Sequence, residues 1–129
     1  MEKQKIFLDS NILFSIIYTK NSPDSRFSLF INLHNQNFFD LYISHYVKNE
    51  ASRNIAKKIP SELRTMGTIL ENFNILKDDE NILDVLEIYN LPNGDKIILN
   101  TAVKNKMDFF ITGNTKDFKN LYGVKINTC

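Results

Sequence analysis

Lys5-Ile6-Phe7-Leu8-Asp9-Ser10-Asn11-Ile12-Leu13 changes its pattern half-way along. The short apolar run up to Leu8 predicts a buried parallel strand that ends at Asp9. Beyond it Ile12, Leu13, Ile16 and Ile17 fall at helical spacing, and Asp9 or Ser10 can cap the helix they form. A strand that passes straight into a helix is the unit from which alternating α/β chains are built.

The same alternation continues outward from that stretch. Asn21 to Ser25, with Pro23, is a break, and Phe27, Leu29, Phe30, Ile31 and Leu33 suit a second helix. Leu41-Tyr42-Ile43 reads as a second strand. Ser44 then caps a helix to Ile59, in which Val47, Ala51, Ile55 and Ile59 recur every four residues and face the core. Pro60 and Ser61 open another helix, and Phe73-Asn74-Ile75-Leu76 is a third strand. A helix is predicted from Glu80 to Tyr89, with Ile82, Leu83 and Leu86 inward. Leu91-Pro92-Asn93-Gly94 is a turn, and Asp95 opens the next helix. Phe109-Phe110-Ile111-Thr112 is a fourth strand, Thr115 to Leu121 a short helix, and Val124-Lys125-Ile126 a fifth, edge strand. The expectation is a single domain over residues 1–129, a three-layer α/β/α sandwich around a central, mainly parallel sheet of four to five strands.

Composition narrows the function classes. The chain has 129 residues, is 43% hydrophobic and carries 10 Phe and 5 Tyr, enough for a real core. A net charge of +1 is not that of a strongly basic nucleic-acid binder. The one cysteine, Cys129, has no internal disulfide partner, which suits a reducing compartment. The N-terminal apolar stretch is interrupted by Asp9, Ser10 and Asn11, so neither a signal peptide nor a membrane span is read and the cytoplasm is expected. His34 and His45 lack the spacing of a zinc site. There is no Gly-rich phosphate loop.

Four acids stand out by position. Ligand sites in open parallel sheets lie beyond the carboxyl ends of the strands. Asp9 ends the first strand, and Asp117 follows the fourth. Asp95 starts the helix that runs antiparallel to that strand, so it belongs to the same edge. Glu50 lies roughly 9 Å into its helix, at ~1.5 Å per residue from Ser44, with a side chain long enough to lean back. Each has an ordinary use as a cap, a first-turn charge or a surface residue. Together they would repel one another, and a divalent cation removes that conflict. An oxygen-only acidic site reads as phosphate chemistry.

At these residues the chain resembles the PIN-domain family of metal-dependent nucleases. Ile6-Phe7-Leu8-Asp9-Ser10-Asn11-Ile12-Leu13 is similar to that family's opening strand, aspartate and following Asn. Tyr42-Ile43-Ser44 with Glu50 resembles its second acidic motif and Gly94-Asp95-Lys96-Ile97-Ile98-Leu99-Asn100-Thr101-Ala102 its third. Phe110-Ile111-Thr112-Gly113-Asn114-Thr115-Lys116-Asp117-Phe118 resembles its last. Many relatives carry Asp where this chain has Asn114, so the fourth acid is assigned to Asp117.

The resemblance covers nearly the whole chain. It implies a catalytic, metal-holding set of Asp9, Glu50, Asp95 and Asp117, binding one or two Mg²⁺ or Mn²⁺ ions, and cleavage of single-stranded or structured RNA. Asn11, Thr112 and Asn114 are candidates for orienting those ligands by hydrogen bonds. Arg53, Lys57, Lys96 and Lys116 are candidates for contacts to the RNA backbone. Relatives of this size include toxins held inactive by a small antitoxin protein, and homodimers are common among them. The alternative within the same fold is an RNA- or protein-binding module without catalysis. A haloacid-dehalogenase-type phosphatase would need a second Asp where Asn11 stands. A receiver domain would need an acidic pair after the first strand, which offers Asp9 alone.

Overall fold

The computed structural model describes residues 3–19, 38–87 and 90–113, together with the backbone of 127 and 128. Strand β1 (Gln4–Leu8) leads into α1 (Ser10–Tyr18), and β2 (Phe39–Ser44) into α2 (His45–Lys58). A 3₁₀ turn at Pro60–Glu62, α3 (Leu63–Leu70) and β3 (Asn74–Leu76) follow. Next come α4 (Asp84–Glu87), α5 (Asn93–Lys104), β4 (Phe109–Ile111) and β5 (Asn127–Thr128).

The strands form one sheet in the order β3-β2-β1-β4-β5, and every neighbouring pair is parallel. β1 lies at its centre, with Ile6, Phe7 and Leu8 opposite Phe109, Phe110 and Ile111 of β4. Phe7 and Phe110 stack at 5.7 Å between ring centres and are wholly buried. A central parallel strand is covered on both faces, which is why β1 carries a continuous apolar run. The order reverses between β1 and β4. With right-handed crossovers, the helices after β1 and β2 and those before β4 therefore cover opposite faces.

Local chemistry sets the element ends. Asp9 is extended (φ −73°, ψ 162°) and its side chain accepts the Ser10 N–H, so the strand stops and the helix starts at one residue. The Ser44 hydroxyl accepts the Val47 N–H at 3.3 Å and caps α2. Val47, Ala51 and Ile55 then form the fully buried stripe of that helix. Ile59, held out of the helical region ahead of Pro60, ends it.

Two elements differ from expectation. Helix over Glu80 to Tyr89 is found only at Asp84–Glu87, with 88 and 89 outside the described residues. The cause is Asn100, buried in α5. Its Oδ1 accepts the Leu83 N–H, and its Nδ2 donates to the carbonyls of Asp79 and Asn81. Asp79 Oδ1 takes the Asn81 N–H as well. Backbone groups that a helix would use are thus already bound. Helix α5 begins at Asn93, two residues before Asp95, so Gly94 lies inside it. The expected helices over Phe27–Leu33 and Thr115–Leu121 and the strand at Val124–Ile126 lie outside the described residues, and the edge strand is found at Asn127–Thr128. Among the described residues no helix is long and apolar enough to cross a membrane.

Candidate active site

Asp9 sits where the sheet order reverses, beyond the carboxyl end of β1. Its N–H donates to the Ile111 carbonyl at 3.0 Å, carrying the β1–β4 ladder one step past the strand. Its carboxylate is held on both oxygens: Oδ1 accepts the Ser10 N–H at 2.8 Å, and Oδ2 accepts the Thr112 hydroxyl at 2.7 Å. Asp9 is 4% exposed and Thr112 3%. Burial pushes the Asp9 carboxyl above the ordinary range. The Thr112 and Ser10 hydrogen bonds pull it down, and the nearby charge of Glu50 pushes it up.

Glu50 reaches this turn from α2. The Ser10 hydroxyl, on a buried residue, donates to Glu50 Oε1. Ser10 therefore touches both acids, binding Asp9 through its backbone and Glu50 through its side chain. The Asn11 Oδ1 accepts the Gly113 N–H at 3.2 Å and ties α1 to the chain leaving β4.

Asp95 is half-buried in the first turn of α5. That turn lies against α2, because the Tyr46 phenol rests over Gly94. Tyr46 and Glu50 stand one turn apart on the same helix face. Among the described residues no three acidic, His or Cys side chains come close enough together to hold a metal ion. Among the described residues, Ser10 links the acids Asp9 and Glu50. Asp117, Asn114 and Lys116 lie outside the described residues.

The donor set still suits a hard divalent cation. It offers carboxylate oxygens without sulfur or imidazole, and a second acid already burdens the buried Asp9. Of the expected cationic contacts, Arg53 and Lys57 are exposed on α2. Lys96 instead pairs with Glu87 at 3.8 Å and is only 16% exposed.

A separate open groove of about 780 Å³ is lined by His45, Lys77, Asp78, Asp79, Glu80, Asn81 and Asn105. Two of its acids have structural tasks. Asp78 accepts the Tyr46 N–H at the start of α2, and Asp79 binds Lys104 at 3.1 Å. The Lys104 hydrogen bond, with that of the Asn81 N–H, holds the Asp79 carboxyl below its usual range.

The model of the PIN domain family matches residues 6–124. The chain belongs to the PIN-domain family. Similar solved structures include the DNA-bound VapBC of Salmonella typhimurium, at 20% identity and a TM-score of 0.69 over 97% of this chain and 98% of that one. Another is VapBC2 of Rickettsia felis bound to a DNA fragment from its promoter, at 19% identity and 0.67 over 98% and 99%. A third is the sarcin-ricin loop cleaving toxin VapC20 of Mycobacterium tuberculosis, at 13% and 0.62 over 94% and 98%. At these identities the likeness speaks for the fold. No match is found among curated proteins.

Within this PIN domain, Ser10 and Tyr46 stand beside the acids without having stood out in the sequence. Ser10 read as a helix cap, yet its hydroxyl turns to an acid forty positions away. Tyr46, like Tyr18, Phe38 and Phe39, carries no motif that marks it in the sequence. Phe39 is buried, whereas Tyr18 and Phe38 are 63% and 62% exposed. The signal for Tyr46 was its four-residue spacing from Glu50, together with a glycine placed just before Asp95.

Proposed function

We propose that this PIN domain is a metal-dependent endoribonuclease, hydrolysing phosphodiester bonds in single-stranded or structured RNA, and that it is the toxin of a toxin–antitoxin pair. The observation that carries the reading is the Asp9 carboxylate. It is buried at the reversal of the strand order, fastened by neutral donors, and burdened by a second acid. A buried acid facing another is unfavourable unless a cation joins them.

Asp9 and Glu50 would hold Mg²⁺ or Mn²⁺, one or two ions, with Asp95 and Asp117 completing the set. When bound, such an ion supplies Lewis acidity toward the phosphodiester and lowers the pKa of water. Thr112 and Ser10 keep the oxygens of Asp9 and Glu50 oriented. Arg53, Lys57 and Lys116 would meet the RNA backbone, and Lys96 would join them on release from Glu87. Support for the toxin role and for an antitoxin partner comes from the likeness to a toxin-antitoxin complex from Klebsiella pneumoniae and to VapC20, a toxin that cleaves the sarcin-ricin loop.

The test is cleavage of single-stranded and structured RNA by the full chain with Mg²⁺, Mn²⁺ or EDTA, repeated on Asp9→Asn and Asp95→Asn. The expected result is ion-dependent cleavage that both substitutions abolish. Unchanged cleavage by both variants would remove the site assignment. RNA that is bound and never cut would make the chain a binding module.

A further inference from the structure

Gly94 stands in the first turn of α5, and its backbone has no positive φ that would call for glycine. The space around it explains the residue. A Cβ built there would lie 2.3 Å from the Tyr46 phenol oxygen, 2.9 Å from Cζ and 3.1 Å from Cε1. Only a residue without a side chain lets the phenol sit that low over the helix.

The backbone that carries the tyrosine is held in place. Its own N–H is fixed to Asp78 at 3.0 Å in the first turn of α2. Pro92 precedes α5 and, having no polar side chain, offers it no side-chain cap. The phenol supplies a lateral stop at that point. One turn further along the same face of α2, Glu50 takes the Ser10 hydroxyl beside Asp9. A single helix face thereby contacts the turn that carries Asp9 and the turn that carries Asp95.

We infer that Tyr46 is a positioning residue of this site: its phenol ring, seated on Gly94, sets the spacing between Glu50 on α2 and Asp95 at the start of α5. The inference rests on the metal-dependent reading above. It assigns Tyr46 no contact with substrate. It makes the glycine next to Asp95 a consequence of the tyrosine next to Glu50.

The experiment measures Mn²⁺ affinity by calorimetry on the full chain, with thermal unfolding alongside. The variants are Tyr46→Phe, Tyr46→Ala, Gly94→Ala and the Tyr46→Ala/Gly94→Ala double. Tyr46→Ala and Gly94→Ala are each expected to weaken Mn²⁺ binding by roughly tenfold or more, the usual size of losing a group that orients ligands. Tyr46→Phe keeps the ring and should bind as the wild type does. In the double variant Gly94→Ala should add nothing to Tyr46→Ala, because the clash is gone. If Tyr46→Ala does not fold, Tyr46→Leu takes its place in the same cycle.

Wild-type Mn²⁺ affinity retained in Tyr46→Ala and Gly94→Ala, with only the melting temperature lowered, would overturn the inference and leave the proposed function standing. A wild type that binds no Mn²⁺ would overturn both.

Discussion

The carboxyl group of Asp9 keeps its proton more readily in the folded chain than in the unfolded one. Burial penalises the anion and Glu50 repels it, against the pull of Thr112 and Ser10. A raised native pKa means that the folded state binds more protons over that range, so this group's contribution to stability falls as pH rises through its native pKa. Asparagine has the same shape. Its carbonyl can accept the Ser10 N–H, and its amide can donate to the Thr112 oxygen. Asp9→Asn is therefore expected to be more stable than the wild type at neutral pH. The advantage should shrink as pH drops through the raised native pKa and vanish below the ordinary carboxylate value. Urea unfolding of both proteins across that range checks it, and an advantage that grows toward low pH would refute the assignment. Asp79, held below its usual value by Lys104 and Asn81, contributes with the opposite sign. It does so in both proteins and cancels from the comparison.

At the scale of elements, α5 is the member that organises its surroundings. Asn100 binds one N–H and two carbonyls of residues 79–83, and the Thr101 hydroxyl accepts the Asp79 N–H at 3.0 Å. Asn100→Ala would leave those part-buried backbone groups without their partner. It is expected to lower stability by about 2–4 kcal/mol, read as a fall in the urea midpoint. These contacts also show what a sequence hides. β1, β2 and α2 were legible within a residue or two at most ends, because a short apolar run, a capping Ser or Asp and a proline are local signals. The stretch Glu80–Leu83 carried a helical apolar pattern and is not helical, since its hydrogen bonds go to a side chain some twenty positions away. Asp9 was legible for the same local reason as β1. The Ser10–Glu50 bond and the seat of Tyr46 on Gly94 depend on which helices lie side by side, and no window of sequence contains that.

For the whole molecule, charge is the controlling quantity. A net charge of +1 leaves little long-range attraction for a polyanion. Of the described candidate contacts Lys96 is already paired, while Arg53 and Lys57 are exposed. Few phosphates would then be neutralised. The logarithm of RNA affinity should fall with the logarithm of salt concentration at a slope no steeper than about −3, the value for the four proposed contacts. A much steeper slope would mean that cations outside the described residues dominate the encounter.

The far border of the sheet has a bearing on the centre. β4 leans on β1 along one side and on Asn127 and Thr128 along the other. The hydroxyl that fastens Asp9 rides just past its end, 103 positions downstream of that acid. A nick by a protease, or a bulky fusion that peels the tail away, would bare this margin to stray pairing. It would also loosen the anchor of a carboxylate near the opposite terminus.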